Sequence, residues 1–235
     1  MKALTTIQEK CLELAGVFHW AYMRHYVLML TGSKERSKPI EVTLPALIKK
    51  RALVAIRYGK PLIYALPRYL TLVPGSEAHY PLNPLHGLWC TEGLVRFARS
   101  DLEHIIYPED YFKANKFGVV PEWGIKYKSG SVLLFEFSTS SNFYLRGNVQ
   151  GKITRYTKNI QKFADVFGRE PVVVFVLDVP RSEVERFVKE NNFYGQFFFT
   201  DSQAFKSVPI EKQLTSRIYF FVNGEEHPLR REPSS

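Results

Sequence analysis

Cysteine is scarce: Cys11 and Cys90 are the two in 235 residues. That is too few for a disulfide framework or a cysteine-rich zinc site, and it fits a reducing, cytoplasmic location. No run approaches 18 consecutive apolar residues, so no transmembrane helix and no membrane partner are expected. The first residues, MKALTTIQEK, turn polar at once, which argues against a secretory leader. Neither a G-x-x-x-x-G-K-S/T nor a G-x-G-x-x-G loop occurs, and there is no G-x-S-x-G elbow. The six histidines lack zinc-ligand spacing. Internal repeats and low-complexity tracts are missing too.

What remains is an ordinary globular composition, 45% hydrophobic and 23% charged, long enough for one large domain or two small ones. The net charge of +9 is unevenly placed. Residues 1–75 hold 12 Lys and Arg against 4 Glu, whereas residues 76–235 hold 20 basic against 19 acidic side chains. A basic first third ahead of a near-neutral body implies an anionic partner for that third, nucleic acid above all.

In that third, Thr6-Ile7-Gln8-Glu9 reads as a capping box opening a helix. A second helix is expected over 19–30, and a third from a Thr43 cap with Pro45 in its first turn. Two β-type runs, 53–58 and 61–66, flank a Gly59-Lys60 turn and predict a hairpin. Three helices followed by a basic hairpin is the order of a winged helix, whose third helix enters the major groove. The natural phosphate contacts are then Lys49, Lys50, Arg51, Arg57, Lys60 and Arg68. Prolines 74, 81 and 84 place a domain boundary near residue 75.

Beyond it, Thr91 is expected to cap a helix running to about Ile106. A hairpin, 119–127 and 132–139, follows, and its second strand is apolar on both faces. Then come a helix over 149–167 stopped by Gly168, a strand over 172–177, a helix over 182–191 and strands near 197–200 and 218–222. The expected class is α+β, with an N-terminal winged-helix domain (1–75) and an α/β domain with a mixed central sheet (76–235).

Glu136 interrupts an apolar strand between Phe135 and Phe137, and a buried carboxylate is costly unless paired or metal-bound. Glu122, 14 residues earlier, lies on the partner strand, where a hairpin brings it towards Glu136. Two converging acids suit a hard cation, Mg²⁺ or Mn²⁺, and a metal-assisted attack on a phosphodiester.

Pro121-Glu122, then Glu136-Phe137-Ser138, then a helix resembles the PD-(D/E)XK nuclease signature of Pro-Asp followed by Glu-x-Lys. Together with the basic helical head, the layout looks most like the replication-relaxation family of plasmids and other mobile elements. The resemblance implies metal ligation by Glu92, Glu122 and Glu136. Ser138 stands where the catalytic lysine is expected, so the resemblance assigns that part to Lys152 of the following helix. Lys152 and Tyr156, four apart, resemble the Gln-x-x-x-Tyr pattern of the exonuclease-like branch, with Lys in the Gln position. The implied partners are double-stranded DNA, replication or transfer proteins and a second copy of the chain. Whether the domain cleaves DNA or is an inactive accessory factor is left open, and Ser138 speaks for the second. The competing structural readings make Glu122 a solvent-facing acid, Glu136 an ion-pair partner of Arg155 or Lys152, Lys152 a solvated surface cation, and Glu92 a first-turn complement to its helix dipole. A regulator with an apolar ligand pocket is the third class.

Overall fold

A computed structural model describes residues 3–33, 37–57, 62–69, 84–98, 104–145, 147–191, 193, 197–207, 219–222 and 225–228. The chain divides into two units, residues 1–99 and 100–235. No helix among the described residues is long and apolar enough to cross a membrane.

The N-terminal unit begins with α1 (Thr6–Phe18), capped one residue earlier than the sequence suggests. Thr5 accepts from the Gln8 amide and its own amide donates to the Gln8 side chain, so the box is Thr5–Gln8. The expected second helix gives up its first turn: Ala21–Tyr22 form a short strand, β1, and α2 runs Met23–Thr31. The third helix, α3 (Lys38–Lys49), starts five residues before Thr43, with a proline in its first turn and Pro45 in its interior. Thr43 is buried within it and caps nothing. Strands β2 (Val54–Arg57) and β3 (Leu62–Ala65) pair as the expected hairpin, from Val54↔Ala65 to Arg57↔Leu62. β1 adds to the far side of β3, giving the order β1-β3-β2. Buried Cys11, Phe18, Tyr26, Leu44 and Leu47 fill the space between the helices.

The next helix, α4 (Pro84–Ala98), belongs to this unit, so the boundary falls after residue 99 and not near 75. Thr91 lies inside α4, not at its cap. Its buried hydroxyl sits 2.8 Å from the Phe18 carbonyl and 2.6 Å from the Trp20 carbonyl, satisfying the end of α1 where the chain turns through His19 at φ 59°. Gly87 lets α4 approach β1, since a Cβ there would stand 2.7 Å from Trp20 Cδ1.

Glu92 of α4 ties α4 to α2. Its Oε2 lies 3.0 Å from His25 Nε2 and 3.1 Å from Arg24, and its Oε1 accepts from Arg96 at 2.7 Å. The Tyr22 amide donates to His25 Nδ1 at 3.3 Å, which leaves the proton on Nε2, facing Glu92. Burial pushes the His25 pKa down, against the pull of Glu92, and keeps the ring neutral. Burial alone would raise the Glu92 pKa, but the His25 hydrogen bond and the charges of Arg96 and Arg24 hold it down at about 2.

The C-terminal unit is a seven-stranded sheet in the order β10-β9-β8-β7-β6-β5-β4. Its elements are β4 (His104–Pro108), α5 (Glu109–Ala114), β5 (Trp123–Tyr127), β6 (Val132–Ser138), α6 (Ser140–Tyr144), α7 (Asn148–Phe167), β7 (Val172–Leu177), α8 (Arg181–Asn191), β8 (Phe197–Asp201), α9 (Ser202–Ser207), β9 (Tyr219–Val222) and β10 (Glu225–Pro228). His104–Ile106, expected to finish a helix, are in strand β4. β4, β5 and β6 run antiparallel, β6, β7 and β8 parallel, and β8, β9 and β10 antiparallel. α7 connects the parallel neighbours β6 and β7. It buries Val149, Ile153, Tyr156, Phe163 and Phe167 and ends at Gly168, whose φ of 77° suits a residue without a Cβ.

The Glu92 network has a measurable signature. Glu92→Gln is expected to cost about 3 kcal/mol at pH 7, because it removes the carboxylate charge that buried Arg96 pairs with. In the wild type, the unfolded chain takes a proton on His25 below pH 6.5, so stability starts to fall there. The Glu92 contribution is present above pH 4.5 and lost as pH falls towards 2. Urea unfolding across pH 3–8 checks both, and the variant is expected to lose the lower of the two slopes.

Candidate active site on the C-terminal sheet

The hairpin register decides which side chains share a face. Trp123 lies opposite Phe135, and the two rings stack with centroids 4.3 Å apart and planes at 9°. Side chains alternate along strands, so Glu122 and Glu136, one step along each, project to the other face. The Glu122 amide donates to the Phe135 carbonyl at 3.0 Å, carrying the pairing back to Glu122. That other face also carries Leu134, which joins Ile153 and Tyr156 of α7 in one core cluster.

Glu136 is 1% exposed, in a strand whose other residues are almost all buried. Its two oxygens have different partners, both from α7. The Tyr156 hydroxyl donates to Oε1 at 2.7 Å, and the Lys152 ammonium donates to Oε2. Lys152 and Tyr156 are one helical turn apart, so a single rotation of α7 aims both at the same carboxylate. Lys152 Nζ also stands 4.0 Å from Glu122 Oε1. The side chains of Glu122 and Lys152 are 19% and 29% exposed, so the cluster is dry at Glu136 and wetted at Glu122.

Burial raises the Glu136 pKa, the Lys152 charge pulls it back, and Glu122 raises it again; the balance lies above the ordinary carboxylate range. Burial and the adjoining Glu136 push the Tyr156 hydroxyl well above its ordinary value, so it stays a donor.

The structure therefore brings together Glu122, Glu136 and Lys152. Of the two cations weighed as partners for Glu136, Lys152 takes the place, and Arg155 is exposed. Ser138 is two residues along the same face, largely buried, and carries no charge to replace the missing strand lysine. Tyr156, read from the sequence as half of a spacing pattern, supplies the second hydrogen bond to the acid; its place one turn from Lys152 was the signal. Glu92 is occupied differently: in the N-terminal unit both its oxygens are already bonded to His25, Arg24 and Arg96. The partners from α2 were missed because Arg24 and His25 lie 68 and 67 residues from Glu92 in the chain.

Among the basic candidates, Lys49 ends α3, Lys50 follows it with Nζ 3.0 Å from Gln8 Oε1, and Arg51 takes φ 57°. These three, with Arg57 at the end of β2 and Arg68, are exposed. Lys60 lies outside the described residues.

The donor set fits a hard divalent cation. Glu122 and Glu136 offer carboxylate oxygens, each with more than one lone pair, and with Lys152 charged the three side chains sum to −1. Glu92, already neutralised, adds nothing to that set. Comparison with family models, curated proteins and solved structures finds no match.

Removing either partner of the buried pair has unequal consequences. Lys152→Met leaves Glu136 buried beside Glu122 without a cation and is expected to cost about 3 kcal/mol at pH 8. Raising the Glu136 pKa further makes that deficit shrink as pH falls towards 5, because protonation removes the stranded charge. Glu136→Gln is expected to cost less, about 1 kcal/mol, since the partly solvated ammonium keeps water and Glu122. Urea denaturation of both variants at pH 8 and pH 5 measures the difference.

Proposed function

We propose that the chain is a DNA-binding protein of a mobile element, with a winged-helix N-terminal unit and a nuclease-like C-terminal unit that hydrolyses phosphodiesters with Mg²⁺ or Mn²⁺. The observation that carries this reading is the meeting of Glu122, Glu136 and Lys152 at one point of the sheet. The three residues come in the order that resembles the PD-(D/E)XK signature, with the lysine moved from the strand to the helix. The N-terminal succession α1-β1-α2-α3-β2-β3, with strand order β1-β3-β2, supports the winged-helix half.

Glu122 and Glu136 would hold the ion, which would supply Lewis-acid stabilisation of the phosphate and a water of lowered pKa. Lys152 has a role of its own. Its ammonium favours the charged form of Glu136 and, from the wetted side, can attract a phosphate oxygen as negative charge builds up on it. Tyr156 keeps the carboxylate pointed at the cluster. The exposed cations at the end of α3 and on β2 would bind the backbone of the duplex.

A second reading, an accessory factor for replication or transfer that binds without cutting, rests on Ser138 and on the Lys152 contact. The ammonium already partners Glu136, so the carboxylate has a cation beside it without a metal.

Plasmid incubated with the purified chain and Mg²⁺ or Mn²⁺ separates the two. Nicking that falls at least about 100-fold in Glu136→Ala, Glu122→Ala and Lys152→Ala supports the nuclease. Tight binding with no nicking, unchanged in Glu136→Ala, supports the accessory factor. Binding itself is expected to weaken with salt. In the Lys49, Lys50, Arg51 triple alanine variant the slope should fall by about 0.9 for each phosphate that is no longer neutralised. A slope near zero in the wild type removes both DNA readings.

A further inference from the structure

Helix α3 carries two faces of opposite character. Ile40, Thr43, Leu44 and Leu47 are buried. Lys38, Glu41, Val42, Pro45 and Lys49 are exposed, at spacings of three or four that put them along one side. Val42 is 74% exposed, the highest value among the large hydrophobic residues described.

Two features of this side stand out. Val42 and Pro45 form a small exposed apolar strip. Pro45, in the helix interior, removes the hydrogen bond that the Glu41 carbonyl would otherwise accept, a substitution that costs an ordinary helix dearly. A sequence breaks a local rule of this kind most often where a ligand is met.

The charge on this face is ordered as well. Lysines stand at both ends, with Lys50 and Arg51 beyond the second, and the middle holds an acceptor and a methyl-bearing side chain. Lys38 and Lys49 are 11 positions apart, about 16 Å along the axis. The major groove is about 12 Å wide, with phosphates at its rims and base edges on its floor. A helix with cationic ends, and between them a carboxylate acceptor and a methyl-bearing side chain, is complementary to that section. A protein partner would call for a wider apolar patch and a rim of mixed sign.

Resting on the DNA-binding reading of this unit, we infer that Glu41 and Val42 are its base-reading residues: Val42 meets a thymine 5-methyl group and Glu41 accepts from the amino group of a cytosine in the major groove. Lys38 and Lys49 hold the two backbones. The sites preferred by this unit contain a thymine and a neighbouring cytosine for which the contact is to the base edge.

The test needs a duplex enriched from a random library by the full-length wild-type chain. Each thymine of that site is replaced in turn by deoxyuridine, which lacks only the methyl group. At one position the replacement is expected to weaken wild-type binding about fourfold, the effect of losing one buried methyl, and to leave Val42→Ala binding unchanged. Glu41→Ala is expected to lose its preference for cytosine at one position. Val42 and Glu41 are exposed, so both variants should keep the wild-type far-ultraviolet circular dichroism. If every deoxyuridine substitution affects the wild type and Val42→Ala alike while binding stays salt-dependent, the inference is wrong and the DNA-binding reading survives. If no duplex is enriched and binding has no salt dependence, the reading fails and the inference goes with it.

Discussion

The C-terminal unit depends on one solved problem, the carboxylate of Glu136 inside an apolar strand. A lone charge at 1% exposure is not tolerated in a protein interior. Here Tyr156 and Lys152 of α7 each take one oxygen. This fixes more than a side chain. It sets the rotation of α7 over the sheet, because residues one turn apart must both face β6, and the buried Val149, Ile153 and Phe163 follow from that rotation. It also holds the ammonium within 4.0 Å of Glu122, so Glu136 of β6 and Glu122, which immediately precedes β5, share a cation.

The same physics is put to a different use in the N-terminal unit. Glu92 is also buried, and its partners compensate it fully: two arginines and a histidine hydrogen bond, with a pKa of about 2. Nothing is left to react, and the network acts as a clamp between α2 and α4. Around Glu136 the balance is different. Its pKa is raised, the cluster is one charge short of neutral, and the side towards Glu122 meets solvent. Of the two buried acids, the incompletely compensated one is the better candidate for chemistry.

How much of this the sequence discloses follows from the range over which each signal acts. The 123–138 hairpin, helix 148–167 and the pairing of 54–57 with 62–65 are written in local periodicity and turn residues, and so was the expectation that Glu122 would approach Glu136. The elements that went astray depend on distant partners. Ala21–Tyr22 are a strand because β3 is beside them, not because of their own propensity. Thr91 has the residue type of a helix cap, yet its hydroxyl is drawn to carbonyls more than 70 residues away, so α4 runs through it. His104–Ile106 read as the end of a helix and become a sheet edge through pairing with β5. The prolines around residue 75 suggested a boundary, but α4, which comes after them, is bonded back to α2 through Glu92.

Anomalous scattering at the manganese edge, from crystals grown with Mn²⁺, addresses the acid pair most directly. Density for one ion bonded to carboxylate oxygens of both Glu122 and Glu136 is the expected result, with the Lys152 ammonium moved aside to admit it. Manganese elsewhere, with Lys152 still closed on Glu136 at saturating metal, would contradict the assignment of this cluster as a phosphodiester-cleaving centre.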